Sequence, residues 1–346
     1  MSKHDPAPRL GLLAQSQEHA YQNCQPLNAT IEITMGCNLA CQHCYNFDRS
    51  KAMPPEFKNN ALSDTEIHGI LKDIIKEGAF FINLSGGEAL LHPSLDQFIQ
   101  TIVQEKAIAR LKSNGILLTS KRCSELVQAG LQGVDITLYG MSEESYQIFS
   151  RKSAFSQAIQ GVKNAQEVGL EVHINFILHK ANVHELDLFL TAVNANQWSF
   201  AISDEITERY DHSPGALDWK ITANQMRDLL AGPHRALFDY RNTDHALQCS
   251  CARSVVGISV TGKVFPCIGA PIIAGDLRRD SFSNIWKNSA EFTKIRNLKT
   301  SDFKSCESCD VIDYCQRSSG AIFCDTGDYT GCSETTISAA KIRSEN

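Results

Sequence analysis

Between positions 28 and 240, short β-branched runs alternate with longer stretches whose apolar residues recur at helical spacing. IEIT (31–34), AFFINL (79–84), ARLK (109–112), VDITL (134–138), VHINFIL (172–178) and WSFAI (198–202) each read as a strand. The clearest helix lies in SDTEIHGILKDIIKEG. There Ser63 and Glu66 form a capping box, Ile67, Ile70, Leu71, Ile74 and Ile75 make one apolar stripe, and Gly78 ends it. Further helices are predicted near 95–106, 121–129, 156–168, 184–195 and 222–239. Regular β-α alternation needs crossover helices between parallel strands, so the pattern leaves an open doubly wound sheet or a barrel, complete or partial. Beyond 240 the pattern breaks into short elements with Gly and Pro between them and most of the cysteines, a region expected to need metal to hold it together. The expected division is 1–27 as an N-terminal extension, 28–240 as the α/β unit and 241–346 as the cysteine-rich unit.

Composition narrows the function classes. A chain of 346 residues, 42% hydrophobic and 21% charged, buries a core and is not disordered. The net charge of −6 gives no electrostatic case for nucleic acid. No stretch approaches the roughly 18 apolar residues that span a bilayer, and MSKHDPAPRLGLL lacks the layout of a secretion signal. The expectation is a cytoplasmic protein with no membrane and no nucleic-acid partner. In that compartment thirteen cysteines stay reduced, which favours metal ligation over disulfides. They fall into two groups, 37–44 and 249–332, with Cys24 and Cys123 apart as structural thiols.

Cys37, Cys41 and Cys44 follow the first strand at spacing C-x3-C-x2-C. Zinc wants a closed set of four ligands, and His43 could complete one only awkwardly beside Cys44. An iron–sulfur cube held by three thiolates instead leaves one iron open to a cofactor. CNLACQHC resembles the signature of the radical S-adenosylmethionine (SAM) enzymes, with His43 at the aromatic position. In that family the open iron chelates SAM, so the resemblance implies that the cofactor is the missing ligand.

Other segments resemble the same family. SGGEALLHP, after the second strand, places Ser85, Gly86, Gly87 and Glu88 where the family's GGE motif meets the methionine end of SAM. Ser113 and Asn114, before Gly115, are similar to its T/S-N-G, and Thr137 on the fourth strand stands where a hydroxyl often lies near the cofactor. The resemblance implies a partial (β/α)6 barrel of the TIM type, which agrees with the independent count of six strands.

The second cysteine group resembles a SPASM domain, a small C-terminal iron–sulfur domain with two auxiliary clusters. Cys251, Gly262 and Cys267 match the first part of its pattern, and Cys306, Cys309 and Cys315 the second. Zinc-ribbon knuckles are the competing reading of Cys306-x2-Cys309. Ser319 occupies the position of the family's next cysteine, so Cys324 is assigned the displaced role. The implied sets are Cys249, Cys251, Cys267 and Cys324 for one cluster, and Cys306, Cys309, Cys315 and Cys332 for the other. With the SAM-binding cluster this makes three [4Fe-4S] clusters.

The implied activity is oxidoreduction. A low-potential donor of flavodoxin or ferredoxin type reduces the first cluster, SAM is cleaved, and a 5'-deoxyadenosyl radical abstracts substrate hydrogen. The expected substrate is a ribosomally made precursor peptide that is cross-linked or oxidised, with a separate leader-recognition protein as a possible partner, since only 27 residues precede the first strand. Radical oxidation or epimerisation of a small metabolite is the alternative. A non-catalytic iron–sulfur or zinc scaffold or electron carrier is the alternative of another class. The aspartate that some SPASM enzymes place after the cysteine of their PC motif is absent, because Ile268 and Gly269 follow Cys267. Tyr139, after the fourth strand, and Asp204 and Glu205, after the sixth, are the candidates for a base or hydrogen donor.

Overall fold

The computed structural model describes residues 11–242 and 247–345. Six strands, β1 (Asn28–Thr34), β2 (Phe81–Gly86), β3 (Ile108–Ser113), β4 (Gly133–Leu138), β5 (Glu171–Ile177) and β6 (Ser199–Ser203), lie within a few residues of their predicted places. Each pairs in parallel with the next. Helices Asp64–Lys76, Leu95–Gln104, Ser120–Ala129, Phe155–Glu167 and Leu186–Asn196 connect them in turn, which is the partial barrel expected.

Strand alternation explains which face is covered. Val134, Ile136 and Leu138 on β4 are fully buried, as are Ala109 and Leu111 on β3 and Ile174 and Phe176 on β5. The intervening positions form a polar face. Asp135 takes Arg110 at 3.0 Å and Lys112 at 3.1 Å, and Arg110 also reaches Glu171 at 2.9 Å. The helix Asp64–Lys76 begins as its sequence indicates, with the Ser63 amide donating to Glu66 at 2.7 Å and the Glu66 amide donating back to Ser63 Oγ at 3.3 Å. It buries Ile67, Ile70, Leu71 and Ile74 against the sheet, each contributing about 2 kcal/mol of hydrophobic stabilisation.

Helices Leu12–Gln22 and Glu143–Ser150 were not expected from the pattern. The first buries only Ala20, so it has no apolar stripe to detect, and the second spans eight residues, too short to display a period.

The sheet does not stop at 240. Strand β7 (Val255–Ile258) pairs in parallel with β1, and β8 (Lys263–Phe265) and β9 (Gly275–Asp276) follow it antiparallel. Among the described residues the order is therefore β6-β5-β4-β3-β2-β1-β7-β8-β9 in one sheet. Side chains reinforce the join. Arg278 donates to Glu66 at 2.7 Å and to the carbonyls of Asn60 and Ala61 at 2.9 Å each, and Trp286 Nε1 donates to the Cys24 carbonyl at 2.8 Å. The Arg278 guanidinium and the Ser63 donors hold the Glu66 carboxyl down at about 2. No helix among the described residues is long and apolar enough to cross a membrane.

Candidate active site

Strand β1 runs into the cysteine loop, and the end of β2 lies directly on that loop. The Gly87 amide donates to Thr34 O at 2.7 Å and the Glu88 amide to Gly36 O at 2.8 Å. The approach requires glycine, since a Cβ at Gly87 would stand 2.3 Å from Gly36 O. Thus the close contact permitted by the paired glycines is made to the cysteine loop itself.

Glu88 is 1% exposed and its carboxylate is occupied on both oxygens. Oε1 accepts from Ser113 Oγ at 2.9 Å and from the Leu90 amide at 3.1 Å, while Oε2 accepts from the Asn114 amide at 2.9 Å. Burial pushes the Glu88 carboxyl up and these donors pull it back. Asn114 Nδ2 in turn donates to Asn38 Oδ1 at 2.7 Å, between Cys37 and Cys41 in sequence. Three segments separated by dozens of residues are one hydrogen-bonded unit. Ser85 is buried at the end of β2, and Thr137 lies half-buried on β4 in register with Asn175.

Cys41 is buried, and Cys37 and Cys44 are half-buried. Burial pushes the Cys41 thiol well up, and the neighbouring Cys37 and Cys44 push it further. Burial also raises Cys37, whose Sγ accepts the Leu39 amide at 3.5 Å. Arg49 reaches back across the loop and donates from Nε to Cys44 Sγ at 3.1 Å. Tyr139, edge-on to His43, lies close enough to Cys41 for the two groups to influence each other's pKa, which brings one of the candidate bases to the loop. Among the described residues no three His, Cys, Asp or Glu side chains close on one point as ligands of a single ion do. Two polar atoms beside the thiols, Asn38 Nδ2 and His43 Nδ1, are buried without a hydrogen-bond partner. Buried polar groups are ordinarily paired, so these two are fitted to a group that brings its own acceptors or donors.

His43 is stacked on Phe149 at 4.6 Å and set edge-on to Tyr139 at 5.4 Å. Burial, helped by His179 and Arg209, holds its pKa down at about 3, so the ring is neutral. On the other side of Phe149, His179 stacks at 3.9 Å. Its Nε2 meets Tyr139 O at 2.8 Å and its Nδ1 accepts the Ala181 amide at 3.3 Å, an arrangement that fits the neutral ring and leaves no place for a second proton. Burial accordingly lowers the His179 pKa from 6.5 to about 4. Unfolded chains take up this proton below 6.5 and the fold does not, so this ring's contribution to stability is intact above that pH and is lost as pH drops toward 4, by about 3 kcal/mol, with His43 adding a loss of its own in the same window. Urea denaturation across this window should show the loss in the parent and a flatter profile in His179→Gln.

In the second cysteine group, the Cys251 thiol contacts both Cys249 and Cys267, and Cys249 Sγ lies 3.3 Å from Tyr329 Oη. The Cys251 contact, with Tyr329 assisting, pulls Cys249 down against burial. Cys324 joins from the helix Ser319–Thr326, its thiol raised to about 12 by burial and then by Asp325 and Cys267. Gly320 allows this meeting, because a Cβ there would stand 2.4 Å from Gly269 O. Gly320→Val should therefore push the helix Ser319–Thr326 off Gly269 and swing Cys324 away, at a cost of about 2 kcal/mol in urea unfolding. Cys306, Cys309, Cys315 and Cys332 line one small cavity with Arg317. The Cys315 thiol is raised to about 11 by burial and by its three partners.

Asp204 and Glu205 stand elsewhere, in a cavity of about 490 Å³ between the end of β6 and the helices Ser319–Thr326 and Glu334–Ser344. Asp204 faces Arg343 at 3.9 Å, and Glu205 accepts from Ser318 Oγ at 3.4 Å with its carboxyl raised by burial. Sequence reasoning missed Asn38 and Arg49. Only Asn38 carried a signal, its place inside CNLAC.

Residues 31–192 match the radical SAM superfamily, and residues 249–310 match SPASM, an iron–sulfur cluster-binding domain. The mycofactocin maturase of Mycobacterium tuberculosis is 25% identical over 312 residues, covering 84% of this chain and 77% of the relative. An AdoMet-dependent heme synthase of Methanosarcina barkeri is 24% identical over 328 residues, covering 86% and 92%. Streptococcus suis SuiB, in its crystal structure bound to S-adenosylmethionine, shares the fold with a TM-score of 0.65 at 16% identity, over 93% of this chain and 80% of that one.

Proposed function

With the chain a radical SAM enzyme that carries a SPASM domain, we propose that it removes hydrogen from a ribosomally made precursor peptide and so cross-links or oxidises it. The observation that carries the reading is the hydrogen-bonded unit of Glu88, Ser113, Asn114 and Asn38 built around three thiols, with Asn38 Nδ2 and His43 Nδ1 unpaired beside them. Cys37, Cys41 and Cys44 hold a [4Fe-4S] cluster in this reading, and SAM completes it. Bound together, cluster and cofactor supply the radical chemistry that breaks an unactivated C–H bond.

The chain's own residues position and shield. Glu88, fixed by Ser113 and Asn114, offers its remaining lone pairs to the SAM ammonium, and Asn38 Nδ2 offers a donor to the carboxylate. His43 presents a neutral ring to the nucleoside side, held in place by Phe149. Ser85, Gly86, Gly87 and Thr137 complete the cofactor's surroundings. Tyr139, buried against His43 beside Cys41, keeps water from the loop. Cys249, Cys251, Cys267 and Cys324, and separately Cys306, Cys309, Cys315 and Cys332, are the ligand sets for two auxiliary clusters.

Support for a peptide comes from relatives named mycofactocin maturase and PqqA peptide cyclase, and from the like-folded SuiB bound to its precursor peptide SuiA. A second reading, oxidation of a tetrapyrrole, has its own support in the heme synthase, which aligns over 92% of its length. The test is anaerobic reconstitution, reduction and a SAM-cleavage assay with deuterated candidates. Deuterium passing into 5'-deoxyadenosine from a short peptide encoded beside the gene supports the proposal. Transfer from an iron-porphyrin precursor alone moves the assignment to the second reading, and no SAM cleavage with either removes both.

A further inference from the structure

Arg49 stands out among the cations of the barrel because its charge meets sulfur and no carboxylate within ion-pair distance among the described residues. Its Nε donates to Cys44 Sγ at 3.1 Å, its Nη1 to the Met35 carbonyl, and its Nη2 lies 3.8 Å from Met35 Sδ. The guanidinium rests 4.5 Å above the Phe47 ring, and Phe47 is itself buried. The side chain is thus held from three sides with one N–H aimed at a cysteine of the loop. Arginine suits this place because its planar fork can serve a backbone carbonyl and a sulfur at once while stacking on an aromatic face.

Reduction of a cluster held by thiolates adds one negative charge beside those it already carries. A cationic donor on a ligand sulfur stabilises the reduced form more than the oxidised one, because the attraction grows with the charge on the sulfurs and the donor is already in position. We infer that Arg49 sets the reduction potential of the cluster on Cys37, Cys41 and Cys44, raising it within reach of a biological donor through the hydrogen bond to Cys44. The inference rests on the reading that these three cysteines hold the SAM-binding cluster. Arg49 is a positioning residue in this account, since it acts through Cys44.

The test is an EPR-monitored redox titration of the reconstituted full chain, with the cluster identified as the signal that changes when SAM is added. Arg49→Gln keeps a neutral donor and Arg49→Leu keeps neither donor nor charge. Both should move the midpoint of that signal to more negative potential, leucine further, while the auxiliary signals keep their midpoints. A glutamine variant with full iron and the parent's midpoint would overturn the inference. Loss of the SAM-responsive signal from both variants would mark Arg49 as a clamp of the loop and overturn it equally. If leucine alone loses the signal, the glutamine midpoint decides. A parent that shows no SAM-responsive signal removes the cluster reading itself, a failure distinct from an unmoved midpoint.

Discussion

Cys41→Ala is expected to give a folded protein that carries about four irons fewer than the parent and that cleaves no SAM on reduction. Cys41 is the most enclosed of the three thiols in its loop, with Cys37 and Cys44 close enough to raise it and Tyr139 beside it. The substitution removes one sulfur, so the fold loses little in the absence of metal. On the proposed function, two thiolates would be left to hold a cube that needs three. Iron analysis, circular dichroism and chromatography of 5'-deoxyadenosine decide the matter together. A folded Cys41→Ala protein with the parent's iron content and cleavage rate would show that the loop is not the SAM site.

Gly86→Val should strongly destabilise the barrel. Gly86 has φ +131°, and a Cβ would stand 2.1 Å from Thr34 O and 3.1 Å from the Thr34 amide nitrogen. Backbone rather than a flexible side chain blocks the new atom, so relief means lifting the end of β2 off the cysteine loop. The cost is about 3 kcal/mol or more, from the strained backbone and the overpacked contact combined. Gly69→Ala serves as the control. It lies in the helix Asp64–Lys76 with nothing within 4 Å of an added Cβ, and should be neutral or slightly stabilising. Urea unfolding of the two variants beside the parent gives the comparison, and a Gly86→Val midpoint equal to that of Gly69→Ala would refute the packing argument.

The six strands of the barrel were legible because each is a short apolar-containing run bounded by turns, five of them with β-branched residues, and the helix after Ser63 because its caps and stripe agree. Where a helix buries a single alanine, as Leu12–Gln22 does, the periodic signal is missing although the helix forms. Parallel pairing of β7 with β1 could not be read either, since VVGI is four residues long and joins a partner more than two hundred positions away. At the site, spacing singles out the three cysteines, and the resemblance to the radical SAM family picks out the GGE-like segment. Local sequence carries no record of the bond from Asn114 to Asn38 or of the reach of Arg49 to Cys44, which depend on how loops from separate strands settle on one another. Likewise Cys324 is assigned the displaced role through the resemblance, as the next cysteine after Ser319. The physical reason it meets Cys267, the missing side chain at Gly320, needed the fold.

Strand β1 is flanked on both sides, by β2 and by β7, so the two halves of the chain share one backbone ladder. Cutting the gene near codon 240 would strip β1 of a neighbour and leave its amides and carbonyls as a raw edge, ready to template pairing between molecules. The barrel is thus a poor candidate for expression as a fragment, and evolutionary gain or loss of the cysteine-rich tail would have demanded a new way to seal that seam.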